Sequence, residues 1–271
     1  MNSSSTSGAS ASDAAWEPFV PRFDEKVLAR FNWVERVGSA PAEQRARAME
    51  IYERLVELHG EVERTPRREP MHELISTMLS HRTTGANEDL AYARMIERFG
   101  SWSSIRDAPV WELAQAIAPS NFPEAKAPNI QQALRHILAS RPDADLGFLQ
   151  SCPLREALAW LTELPGVGVK TATLTLLFCF GRPVIPVDTH LHRVCGRIGL
   201  IGPRVTPEAA HAILLSLLPA DERILFNFHI AMLRHGQKIC LWKAPRCPRC
   251  PLNSICDYGR AVLGLEPPAS T

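Results

Sequence analysis

The 271-residue sequence has no apolar run that approaches the ~20 residues a membrane-spanning helix needs; stretches such as Ile213 to Leu218 are far shorter. No membrane span is expected, and the 45% hydrophobic fraction is instead enough to fill a globular core. Met1 to Ala15 lack Lys, Arg and any apolar core segment, so they fit neither a secretory signal nor an Arg-rich transit peptide. Ser and Ala dominate that stretch, which reads as a disordered tail. The chain lacks a disulfide framework as well. Cys152, Cys179 and Cys195 are scattered among apolar neighbours, whereas Cys240, Cys247, Cys250 and Cys256 crowd one short stretch, a pattern that suggests a metal site in a reducing, cytoplasmic compartment. Net charge is nearly absent, at +1, but it is unevenly spread. Acidic residues are common from Asp24 to Glu63, and basic ones from Arg182 to Arg260, where Arg193, Lys243, Arg246 and Arg249 stand. That second stretch suits a polyanion, and charge alone fits a solvated basic face equally well.

Strand patterning is also nearly missing, and what recurs from about Ala46 onward is the helical period. Met49, Tyr52, Leu55, Val56 and His59 share one helix face, as do Leu74, Ile75, Met78 and Leu79. Breaks fall at Thr65 to Pro70, Gly85, Gly100, Pro119 to Pro128, Arg141 to Gly147, Pro165 to Gly168 and Arg182 to Pro186. The punctuation predicts an all-α chain of roughly ten short helices.

Leu154, Ala157, Leu158 and Leu161 form an apolar stripe that ends at Leu164-Pro165-Gly166-Val167-Gly168, and Val169 to Phe180 is then apolar on nearly every side. Gly166 and Gly168 let the backbone approach another molecule, and the N–H groups opening the second helix favour a phosphate. Such a hairpin can grip a nucleic-acid backbone without reading sequence, although a Pro-Gly-x-Gly turn is often only a turn. Lys170 stands in the first turn of this apolar helix. Desolvation and the helix N-terminus both disfavour its ammonium form and make the amine a candidate Schiff-base nucleophile; the alternative is a lysine that snorkels to the surface. Asp188, between Val184-Ile185-Pro186-Val187 and a helix read as Leu191 to Leu200, suits an N-cap. A carboxylate there also suits stabilisation of an oxocarbenium-like sugar.

Cys240, Cys247, Cys250 and Cys256 place four thiols within seventeen residues. Four thiolates fit zinc or an iron–sulfur cluster. Zinc sites usually carry two Cys-x-x-Cys knuckles and this stretch has one, so the spacing leans towards iron–sulfur.

Taken in order, the segments Leu164 to Ala172, Val187-Asp188-Thr189-His190 and the 6-2-5 cysteine spacing resemble the endonuclease III branch of the helix-hairpin-helix DNA glycosylase superfamily. The resemblance runs from about Arg45 to Gly259 and includes His235-Gly236. It implies a six-helix barrel domain over 63–182 and an iron–sulfur domain from 45–62 and 183–259, with a DNA cleft between them. Residues 1–44 are left as an N-terminal extension and 260–271 as a C-terminal tail. It further implies that Lys170 attacks C1′ of a damaged nucleotide, that Asp188 is the catalytic aspartate, and that Cys240, Cys247, Cys250 and Cys256 bind a 4Fe-4S cluster. The implied substrate is an oxidised pyrimidine in double-stranded DNA, excised by a bifunctional glycosylase and AP lyase acting as a cytoplasmic monomer, associated with the nucleoid in a bacterium.

The family fills the gap left by a flipped nucleotide with a glutamine in a Leu-Ser-Ala-Gln-Ala-Thr segment and an apolar residue in a second loop. Here the first segment reads Leu79-Ser80-His81-Arg82-Thr83-Thr84, followed by Gly85, and the second loop offers Phe122. Arg82 and Phe122 are therefore expected at the DNA, with Gly166, Gly168, His190, Arg193, Lys243, Arg246 and Arg249; the alternative for Phe122 is a core aromatic. Two other functions compete: a glycosylase without lyase activity, against which Lys170 speaks, and a non-catalytic DNA-binding module with a zinc-bound tail, against which Asp188 speaks.

Overall fold

The computed structural model describes residues 21–64 and 68–265. The disordered tail expected over Met1 to Ala15 lies outside the described residues. Among them there is no strand, and the helices are α1 (Glu25–Leu28), α2 (Ala42–His59), α3 (Pro70–Ser80), α4 (Gly85–Phe99), α5 (Trp102–Asp107), α6 (Val110–Ala116), α7 (Pro123–Ser140), α8 (Leu154–Glu163), α9 (Val169–Phe180), α10 (Thr189–Ile198), α11 (Pro207–Leu217), α12 (Glu222–Lys238) and α13 (Asp257–Leu263). Four 3₁₀ segments lie between them, over Ala29–Arg36, Ala118–Ser120, Gly147–Gln150 and Cys247–Arg249. The all-α expectation is met, with more helices than the ten read from punctuation.

The central helix is α9, and its sequence is a poor helix former because Thr171, Thr173 and Thr175 are β-branched. Packing makes the difference: Ala172, Leu176 and Leu177 are fully buried, and α3 and α8 lie against the helix. The buried hydroxyls stay satisfied by back-bonding, Thr173 Oγ1 to the Val169 carbonyl at 2.8 Å and Thr175 Oγ1 to the Thr171 carbonyl at 3.1 Å. Gly181, at φ 62°, ends the helix in a left-handed cap.

Both ends of the chain meet. Helix α2 packs on α12, and its Arg47 donates to the Ile198 carbonyl at 2.8 Å and the Ile255 carbonyl at 3.1 Å. Two turns on, Arg54 donates to the Pro251 carbonyl and Ser254 Oγ, each at 3.1 Å, so two arginines of α2 hold the cysteine-rich segment. The segment before α2, which showed no readable pattern, is ordered here: Phe31 is buried, Arg155 of α8 donates to Glu25 at 2.9 Å and Asn32 at 2.7 Å, and the Gly38 and Ala40 N–H groups bond carbonyls of α11.

Candidate active site

Helices α8 and α9 meet in a tight hairpin. Gly166 takes φ 81°, and a Cβ there would lie 2.9 Å from Asn129 Cβ and 3.2 Å from Met78 Cε, so both backbone freedom and lack of bulk are needed. Gly168 is the N-cap of α9; it is extended, supplies no side-chain cap and faces open space. The first N–H groups of α9 thus open from an exposed turn without a side-chain cap, a site suited to an anion.

Lys170 follows immediately. Burial lowers its pKa, while Asp188, Glu88 and Glu73 pull in the other direction by favouring the ammonium form. Burial wins, so the ammonium form is disfavoured, and a lysine in that state is chemically able to serve as a nucleophile. Asp188 caps α10, accepting the Leu191 N–H at 2.7 Å through Oδ1. Because that bond starts the helix at Thr189 and Gly199 at φ 88° ends it, α10 is shifted slightly from the Leu191 to Leu200 expectation.

The two loops expected to enter DNA also converge. Arg82, Asn121 and Phe122 have φ values of 56°, 56° and 52°, left-handed conformations that cost about 1–3 kcal/mol each in residues other than glycine. Asn121 Nδ2 donates to the Arg82 carbonyl at 2.8 Å, and the Arg82 guanidinium lies 5.9 Å from the centre of the Phe122 ring. Phe122 is 56% exposed, which excludes the core-aromatic alternative.

Cys240, Cys247, Cys250 and Cys256 line one cavity together with Arg197 and His235. Arg197 Nη1 is 3.4 Å from Cys240 Sγ, His235 Nε2 is 3.4 Å from Cys250 Sγ, and the Gly259 N–H donates to Cys256 Sγ at 3.3 Å. Four thiols around one cavity, three of them with a polar neighbour, are a donor set that suits a zinc ion or an iron–sulfur cluster.

The sequence pattern of the HhH-GPD superfamily of base excision DNA repair proteins matches residues 75–220. This chain belongs to that superfamily. It is 32% identical over 213 residues to endonuclease III of Thermotoga maritima, spanning 79% of this chain and 92% of the relative. Endonuclease III of Escherichia coli is 30% identical over 193 residues, which span 71% of this chain and 86% of that protein. The protein is thus an endonuclease III-like DNA glycosylase of base excision repair. A trapped endonuclease III–DNA covalent intermediate superposes with a TM-score of 0.70 at 26% identity, over 81% of this chain and 98% of that one. A thermostable thymine-DNA glycosylase, 21% identical with a TM-score of 0.65 over 81% of this chain and 98% of that one, shares the fold.

Several side chains around the glycosylase site carried no readable signal in the sequence. His229 is buried, bonds the Pro186 carbonyl through Nδ1 at 3.0 Å and faces both Asp188 and Lys170; burial lowers its pKa. His81 Nε2 pairs with Thr171 Oγ1 at 3.3 Å, and desolvation, Lys170 and Lys126 all lower its pKa. Glu73 lies inside the apolar face of α3, where burial raises its pKa against the lowering pull of Arg68 and Lys170. Among the basic residues, Lys243, Arg246 and Arg249 are exposed. Arg193 instead donates to the Gly236 carbonyl at 2.9 Å and the Cys240 carbonyl at 3.0 Å, with His190 Nδ1 3.2 Å away. A Cβ at Gly236 would come within 2.8 Å of His190 Cβ, which accounts for the glycine after His235.

Proposed function

We propose that this glycosylase is also an AP lyase, and that it removes oxidised pyrimidines from duplex DNA through a lysine Schiff base. The observation that carries this reading is Lys170 in the first turn of α9, beside Asp188 and at the foot of the hairpin, where burial lowers its pKa and so disfavours the ammonium form. The flipped nucleotide presents C1′ to the amine, whose lone pair forms a C–N bond as the glycosidic bond breaks; the base leaves with that electron pair and takes up a proton. The sugar ring then opens to a protonated imine. Loss of a C2′ proton expels the 3′ phosphate by β-elimination, and water releases the lysine. Asp188 sets negative charge against the positive charge that develops at the sugar. The long superposition on an endonuclease III trapped as a covalent DNA intermediate supports a covalent route.

In this reading Gly166, Gly168 and the opening N–H groups of α9 hold one phosphate, while Lys243, Arg246 and Arg249 reach others. Arg193 and His190 fix the loop that carries them. Arg82 and Phe122 fill the gap left by the flipped nucleotide. The cleft lies between a barrel domain over 63–182 and a second domain from 45–62 and 183–259, and the protein works as a monomer on damaged duplex DNA in the cytoplasm or nucleoid. Cys240, Cys247, Cys250 and Cys256 hold a 4Fe-4S cluster, which when bound ties the basic loop to α10 and α12. Iron analysis should return about four atoms per chain; a fully active protein with one zinc ion would overturn the assignment. The activity is tested by excision from duplexes carrying single oxidised, deaminated or alkylated bases. Oxidised pyrimidines should be removed fastest with strand nicking, and a preference for alkylated or deaminated bases, or base loss without nicking, would contradict the proposal.

A further inference from the structure

The geometry points to Lys126 as a positioning residue that clamps the two DNA-entering loops into one arrangement. This rests on the reading of Arg82 and Phe122 as the groups that fill the vacated base position. Lys126 lies in the first turn of α7, and its Nζ reaches three backbone carbonyls in two separate segments: Leu79 at 2.6 Å, His81 at 2.9 Å, and Ser120. Leu79 and His81 belong to the C-terminal end of α3, whose carbonyls lack helical partners, and Ser120 ends the 3₁₀ turn just before Asn121 and Phe122. An ammonium has three N–H groups, and all three have an acceptor here.

No glycine sits where the two loops leave ordinary backbone space, because Arg82, Asn121 and Phe122 themselves adopt positive φ. Such conformations persist only where the surroundings over-determine them. Two cross-links do so: Lys126 ties the backbone before Arg82 to the backbone before Phe122, and Asn121 bonds the Arg82 carbonyl between them. Without the ammonium, three carbonyls would face one another unpaired, and Arg82 and Phe122 would no longer be delivered to the same point. Burial brings the Lys126 pKa down to about 8, opposed only by Glu88, so the partly desolvated ammonium has no compensation stronger than these carbonyls.

The test uses full-length holoenzyme and single-turnover excision of one oxidised pyrimidine from two substrates: an intact duplex, and a duplex lacking the base opposite the lesion, where no partner base needs support. Lys126→Met, of similar length and without donors, should slow excision from the intact duplex by about tenfold or more, as misplacement of about an ångström does elsewhere, and leave the second substrate within about threefold. Nicking of preformed abasic sites should be unchanged. In Phe122→Ala the added loss from Lys126→Met should vanish, since the clamp then has no wedge to hold. Equal slowing on both substrates, or no slowing, overturns the clamp. If Phe122→Ala itself leaves intact-duplex excision at the wild-type rate, the wedge reading fails instead. Should Lys126→Met not fold, Asn121→Gly, which removes the second cross-link at a position glycine tolerates, must show the same substrate split.

Discussion

The hairpin before α9 and the pair of loops carrying Arg82 and Phe122 lie around one site, and both leave ordinary backbone space, but they do so by different means. In the hairpin the positive φ falls on Gly166, where it is nearly free, and the turn offers only backbone and open space to whatever approaches. In the loops the same conformation falls on Arg82, Asn121 and Phe122, at a cost held in place by Lys126 and Asn121. A phosphate grip needs only N–H groups, so glycine serves. Filling a vacated base position, the role proposed for Arg82 and Phe122, needs a side chain at a projecting point, so the strain must be braced from outside the loop.

The largest effect is expected where the hairpin delivers its chemistry. Asp188→Asn should cut the excision rate by ~10²-fold or more while leaving lesion binding and thermal stability nearly intact, because asparagine caps a helix about as well. It should also move the acid limb of the rate profile to lower pH. Asp188 favours the Lys170 ammonium, so its loss drops an already lowered pKa further and frees the amine in more acidic solution. Normal turnover would return Asp188 to a purely structural cap.

Gly166→Ala sharpens the comparison. The new Cβ would meet Asn129 at 2.9 Å in a left-handed turn, and we expect ~1–2 kcal/mol lower stability and DNA binding weakened regardless of sequence. A melting temperature equal to wild type would show that the turn does not require glycine. Phe122→Gly should have the opposite sign and the smallest effect on stability. Relief of the left-handed conformation, ~1–2 kcal/mol, outweighs the ~0.5–1 kcal/mol of backbone entropy a glycine adds, and the exposed ring gives up little burial. Excision from intact duplex should nevertheless fall; a variant that is both less stable and fully active would break the contrast between the two regions.

Much of this was readable from residue order. Helix α9, its lysine, the Asp188 cap and the four clustered cysteines announce themselves because each depends on neighbours close in sequence. What escaped depends on distant partners. The segment from Glu25 to Arg36 is ordered by α8 and α11, more than a hundred residues away, and the short helices α5 and α6 are separated only by Ala108 and Pro109. His229 and Glu73 matter only because the fold sets them beside Lys170. Arg193 read as one more cation for phosphate, yet its guanidinium is committed to the Gly236 and Cys240 carbonyls, a role that charge counting cannot reveal. Lys126 was a loop lysine until the chain brought α3 to it.

The central claim is that the Lys170 amine forms a covalent imine with the damaged nucleotide. Borohydride reduction during reaction with a lesion-bearing duplex tests it directly, because only an imine is locked into a stable protein–DNA adduct. The wild-type protein should give that adduct together with nicked strand, and Lys170→Gln should fold, bind the lesion and give neither. An adduct of undiminished yield from Lys170→Gln, or none from the wild type under conditions where the base is excised, would contradict the account.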